Sequence, residues 1–266
     1  MDSFIIYLLA GSIAGLIGGL FGLGGGAVVV PVLIYCFNLA EIKQEVLTHL
    51  AIGTSLATIV VTSLSSVYAH HRKSAVLWSV ALWMVPGIGL GAIAGSVFAT
   101  ALAGPTLQYL FGGFLILVAL QMALGANPKA HRELPGPWVG VGNAGGIGFV
   151  SGIFGIGGGS LSVPYFAYCN VRMTNAVATS AALGFPIALL GASTYIYRGW
   201  DAVGLPAGAW GFVFLPALFG ITLTSVPCAR LGALLAHRLP IKYMKRLFAA
   251  VTLVLGVVFI ASNLGH

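Results

Sequence analysis

Eight apolar runs, residues 4–37, 47–69, 75–102, 105–125, 137–169, 173–197, 203–235 and 241–263, take up nearly the whole chain, and no carboxylate falls inside any of them. Asp2, Glu41, Glu45, Glu133 and Asp201 all lie near the start of the chain or in the connections between runs. A water-soluble core cannot be built this way, because runs that are apolar on every side leave no polar face to meet solvent. They suit a bilayer. A mean hydropathy of +1.02 with 6% charged residues places the chain in the membrane class. A spanning helix takes about 20 residues, so 266 residues hold roughly eight membrane segments and no soluble catalytic domain. The opening MDSFIIYLLAGS carries an acidic residue where a signal peptide has its basic region, so the first segment is expected to stay in the protein.

Two runs do not fit a simple crossing. Residues 4–37 and 137–169 are each too long for one span and too short for two, and glycine and proline interrupt each near its centre. Phe21 to Pro31 reads FGLGGGAVVVP, and Phe154 to Pro164 nearly repeats it as FGIGGGSLSVP. At membrane depth the backbone can leave the helix only where it is buried in protein or lines a cavity, so a broken helix or a re-entrant hairpin is expected in both places. The basic residues choose between topologies. If all eight runs cross, the twelve Lys/Arg split five against seven, which orients nothing. If the first and fifth runs return to the side they entered from, Arg72, Lys73, Lys129, Arg132, Arg172, Arg230, Arg238, Lys242, Lys245 and Arg246 share one face, leaving only Lys43 and Arg198 on the other. The positive-inside rule makes the richer face cytoplasmic.

Each half then has one hairpin and three crossings, an odd number, so the second half enters the membrane upside down. The expected fold is an all-α polytopic membrane protein of two inverted-topology repeats, each with a glycine-broken re-entrant or discontinuous first segment followed by three spanning helices. The repeats are residues 1–126 and 137–266, with a cytoplasmic linker at 127–136. Glu41 and Arg72 should lie on opposite sides. Beyond the glycine strings, Ala51 to Ser55 (AIGTS) matches Ala176 to Ser180 (AVATS), and Pro86 is paired with Pro216.

Glycine-rich backbone can aim several N–H groups at one point, and the start of the following helix adds its dipole, so the arrangement suits an anion. Gly24, Gly25 and Gly26 with Gly157, Gly158 and Gly159 are therefore candidate substrate-binding residues, and the hydroxyls of Thr54, Ser55, Thr179 and Ser180 are candidate donors. His49, Ser160 and Asn175 are candidates for lining or gating, with Asn143 a weaker one. The competing structural readings are close helix packing for glycines four apart, as at Gly15 and Gly19 or Gly91 and Gly95, and hydroxyls bonded back to their own helix. Neither glycine string continues into Lys-Ser/Thr as a nucleotide loop would, and no strand precedes it for a dinucleotide fold. Cys36, Cys169 and Cys228 have no metal-binding spacing, and adaptable packing is the plainer role for them. No cofactor, metal or nucleic acid is expected. With no carboxylate in a span, there is no acidic relay to couple uptake to protons or sodium. An anion leaving a negative interior needs none.

The two glycine strings with their prolines, the Thr-Ser helix after each, and the loops HHRKSAVLW (residues 70–78) and YRGWDAVGLP (residues 197–206) resemble the TauE/SafE family of membrane transporters over essentially the full chain. One departure is Ala178 in the place that Gly53 holds in the first half. The resemblance implies a multi-pass protein of the bacterial inner membrane that exports sulfite, sulfoacetate or a related sulfonate by alternating access. A homo-oligomer is compatible with it. Rival readings are an anion channel of the same architecture, an uptake carrier, and a thiol-redox protein built around Cys36 and Cys169.

Overall fold

The computed structural model describes residues 2–21, 26–123, 134, 136–236 and 241–264. Among them are ten helices: α1 (Asp2–Phe21), α2 (Gly26–Leu39), α3 (Gln44–His71), α4 (Trp78–Thr100), α5 (Gly104–Ala123), α6 (Pro137–Phe154), α7 (Gly159–Tyr168), α8 (Met173–Arg198), α9 (Leu215–Ala236) and α10 (Ile241–Leu264). A small antiparallel hairpin, β1 (Ala209–Trp210) and β2 (Val213–Phe214), precedes α9. By length and composition α3, α4, α5 and α8 can each cross a membrane. At 28 residues α3 is about 42 Å long, so Glu41 and Arg72 do lie beyond opposite ends of it.

The second glycine string breaks its helix as expected. Gly155 closes α6 in the left-handed conformation (φ 65°, ψ 31°), and the N–H of Ile156 after it donates to the Ser151 carbonyl at 3.2 Å. A side chain would be strained there, whereas glycine reverses the chain at little cost. α7 starts four residues later and runs back along α6, since Asn143 early in α6 meets the Tyr165 hydroxyl late in α7 at 3.4 Å. In the first half α1 and α2 also run antiparallel, with Tyr7 near the start of one against Phe37 near the end of the other, 6.2 Å between ring centroids. Pro31 and Pro164 sit inside α2 and α7, as the sequence suggests.

The first helix of each hairpin packs across the halves, while α2 lies on α3 and α7 on α8 within them. α1 runs parallel to α9: Gly11 and Gly15 lie against the backbone of Ile221 and Ser225. α6 runs parallel to α4 in the same way, with Gly87, Gly91 and Gly95 against the carbonyls of Val141, Gly145 and Phe149. A Cβ at any of these would collide with backbone, which bears out the packing role of Gly15, Gly91 and Gly95. In lipid, where apolar burial gives helices no reason to associate, such close approach is what holds them together. α3 and α8 pack on each other at the centre through buried residues such as Ile52, Leu56, Leu183 and Ile187. α5 and α10 form the remaining pair.

Two expectations need correcting. The run 203–235 is not one helix: Gly204, Gly208 and Gly211 all have positive φ, fold residues 209–214 into the hairpin, and delay α9 to Leu215. Pro86 and Pro216 are not equivalent either. Pro86 lies well inside α4, while Pro216 is the second residue of α9, where a missing N–H costs nothing.

Candidate functional site

The two glycine strings meet at the middle of the bundle. Gly26, the first residue of α2, sits so close to the other string that a Cβ would come within 2.8 Å of the Gly155 carbonyl oxygen and 2.9 Å of the Ile156 Cα. The Ser55 hydroxyl donates to the same Gly155 oxygen at 2.9 Å. α2, α3 and the turn after α6 are thereby locked together, with Ile156 fully buried among them. Gly24 and Gly25 lie outside the described residues.

Beside this contact lies a cavity of about 830 Å³. Gly157, Gly158 and Gly159 form part of its wall, and α7 begins there, so the first amides of that helix have no partner within it. Ser180 on α8 and Ser225 on α9 also line it. Each of these serines is nearly inaccessible, at 1% and 5% exposure, yet neither hydroxyl has a hydrogen-bond partner. A buried hydroxyl left unpaired is costly, so two that share one cavity with a helix start are poised to donate to a ligand. α3 lines the cavity with Thr58, Thr62, Ser63, Ser65 and Ser66, and His70, Arg72 and Lys73 stand at its mouth. No Asp or Glu is among the described residues that line it.

The remaining candidates do other work. The Phe214 N–H donates to the Thr54 hydroxyl at 2.9 Å, and the Leu77 N–H to the Thr179 hydroxyl at 3.0 Å. Those amides immediately precede α9 and α4. The His49 Nε2 lies 3.2 and 3.1 Å from the carbonyls of Ala99 and Leu102 and holds the end of α4, its ring against Phe212 at 5.1 Å. The Asn175 amide donates to the Ala75 carbonyl at 3.0 Å, tying α8 to the loop before α4. The Ser160 hydroxyl is buried without a partner. Cys36 ends up late in α2 and Cys169 just after α7, at opposite ends of the bundle, so the two thiols cannot act on each other. Ser225 and the α3 hydroxyls were missed from the sequence. The signal was present as hydroxyls at 55, 58, 62, 65 and 66, one face of a 3.6-residue period.

A bundle of apolar helices around a cavity, with interrupted helices meeting at half depth, is the architecture of a multi-pass membrane protein. The Sulfite exporter TauE/SafE family profile matches residues 7–259, and the chain belongs to that family. A probable membrane transporter protein of Haemophilus influenzae is 32% identical over 263 residues, 97% of this chain and 98% of its own length. The probable membrane transporter protein YunE of Bacillus subtilis is 34% identical over 78% of this chain and 85% of its own. The Methanocaldococcus jannaschii protein MJ0441, also named a probable membrane transporter, is 27% identical over 95% of this chain and 93% of its own. No solved structure matches the chain.

Proposed function

We propose that the protein is a carrier that exports a small sulfur-containing anion, sulfite, sulfoacetate or a related sulfonate, across the bacterial inner membrane by alternating access. The observation that carries this reading is the pairing of the unpartnered Ser180 and Ser225 hydroxyls with the start of α7 in one cavity. The amides at the helix start take only an acceptor, best a negative one, and both hydroxyls can donate to the same ligand. The family name supplies sulfite as the reference substrate. The cavity has its mouth among His70, Arg72 and Lys73, the face assigned to the cytoplasm by its basic residues, so the conformation is inward-open.

Two inverted repeats, with residues 127–136 as the linker between them, account for several paired features. α1 lies along α9 as α6 lies along α4, and Thr54 serves the start of α9 as Thr179 serves the start of α4. Inverted repeats work by rocking one arrangement into its mirror around a fixed site at half depth. The Gly26–Gly155 contact supports a carrier over a channel, since it sets packed backbone between the two glycine strings. Export needs no coupling ion, because the potential contributes about 2.3 kcal/mol per charge per 100 mV to an anion leaving a negative interior.

The test is efflux of sulfite and of sulfoacetate from proteoliposomes under an imposed potassium-diffusion potential, with Gly158→Leu as control. A Cβ at Gly158 would already stand 3.2 Å from Ile187 Cδ1 and from the Ser180 carbonyl, so leucine fills the space beside the serine. Saturable, potential-sensitive efflux that the variant loses, by 100-fold or more on the order of a blocked site, is the expected outcome. Equal efflux in both proteins would remove the glycines from the site.

A further inference from the structure

The cavity's walls differ in the hydrogen-bonding they offer. On the α7, α8 and α9 side stand donors: the helix start at Gly157–Gly159 and the free hydroxyls of Ser180 and Ser225. On the α3 side three of the five lining hydroxyls, those of Thr58, Thr62 and Ser63, are already committed, and Ser65 and Ser66 lie further along α3 toward the mouth. Thr58 donates to the Ser55 carbonyl at 2.7 Å, Thr62 to Ile59 at 3.3 Å and Ser63 to Val60 at 3.0 Å. A hydroxyl has one proton and two lone pairs, so each of these three oxygens can only accept from anything else in the cavity. The two walls are close, because a Cβ at Gly157 would touch Ile59 Cγ2 at 3.6 Å.

Taking the anion-carrier reading as its basis, and narrowing it within the sulfonates, we infer that the anion held here carries a hydrogen-bond donor of its own: a small monoanionic sulfonate or oxyacid with a hydroxyl group beside the acid. Its acid group lies at Gly157–Gly159, Ser180 and Ser225, and its donor turns to Thr58 and its neighbours on α3. An acceptor-only anion would face lone pairs on that side, or would force Thr58 to give up its bond to Ser55. The donor also ranks substrates without any charged side chain deep in the cavity, so sulfoacetate, which has no donor, is carried but held less tightly than a hydroxysulfonate.

The closing experiment compares 2-hydroxyethanesulfonate with propane-1-sulfonate, which have equal charge and nearly equal shape and differ by a hydroxyl in place of a methyl. Binding of each to the purified full-length protein is measured by titration calorimetry, for the unaltered chain and for Thr58→Val and Thr62→Val, with a thermal unfolding scan to establish folding. We expect the hydroxy compound to bind roughly tenfold more tightly, and the ratio to fall to roughly threefold or less in Thr58→Val. Equal affinities overturn the proposal while leaving an anion site in place, and so does a ratio that both folded valine variants keep. Binding of neither sulfonate removes the anion-carrier reading along with it.

Discussion

The two Thr-Ser pairs, Thr54-Ser55 on α3 and Thr179-Ser180 on α8, make the sharpest comparison in the molecule. The threonines behave alike: each accepts the backbone N–H that leads into a helix of the other half. The serines do not. Ser55 is spent on the Gly155 carbonyl where the glycine strings meet, while Ser180 is free and lines the cavity. The residue before each pair follows the same division. Gly53 is pressed against the Phe212 carbonyl of the hairpin, where a Cβ would collide, whereas Ala178 in the corresponding place is a buried alanine. Shared scaffolding with divergent serines is what the proposed alternating-access reading calls for, one half closed and the other open.

The largest effects should come from the part that is alike. Valine is shaped like threonine but accepts nothing, so Thr54→Val strands the Phe214 N–H and Thr179→Val strands the Leu77 N–H. Each loss should cost about 1–3 kcal/mol, read as a lower unfolding temperature in detergent, and the two costs should be similar. A neutral result at one site alone would break the likeness. Next come the serines. Ser180→Ala should weaken anion binding roughly tenfold, about 1.5 kcal/mol for a hydrogen bond to a charged group. Ser55→Ala should change affinity by less than about twofold and instead raise the labelling of a cysteine placed at Ile156 from the side opposite the cavity mouth. Equal affinity losses would mean that the serines share one role.

Much of this architecture was readable in the chain, for reasons that differ by element. The broken helix between Phe154 and Gly159 was legible because glycine and proline interrupt an apolar run in a way that only a cavity or protein interior tolerates. The separation of Glu41 from Arg72 was legible because an apolar run as long as α3 sets its flanking charges beyond opposite ends. The hairpin at 209–214 was not, since Ala, Trp, Val and Phe are as apolar in a strand as in a helix, and only the backbone at Gly204, Gly208 and Gly211 tells them apart. The duties of Thr54 and Thr179 were hidden for another reason: their partners lie 160 and 102 residues away. Matching motifs between halves found Ser180 but passed over Ser225 and Thr58, which have no duplicate string to mark them.

The smallest effect tests the two faces rather than the two halves. Arg72 and Lys73 stand at the cavity mouth, Arg72 with its guanidinium 6.0 Å from the Tyr68 ring centroid, whereas Arg198 on the opposite face donates from Nε to the Thr100 hydroxyl at 3.3 Å. Charges at an open mouth raise the local concentration of an anion, and salt screens them over about 10 Å at 0.1 M. Lys73→Gln should therefore slow efflux at low substrate by roughly two- to threefold in dilute buffer, with the deficit vanishing at high salt or saturating substrate. Arg198→Gln, remote from the mouth, should show no salt-dependent deficit in the same assay. If both variants lost the same salt-sensitive fraction, the field would belong to the protein's net positive charge as a whole, and the basic face would have no special part in gathering the anion.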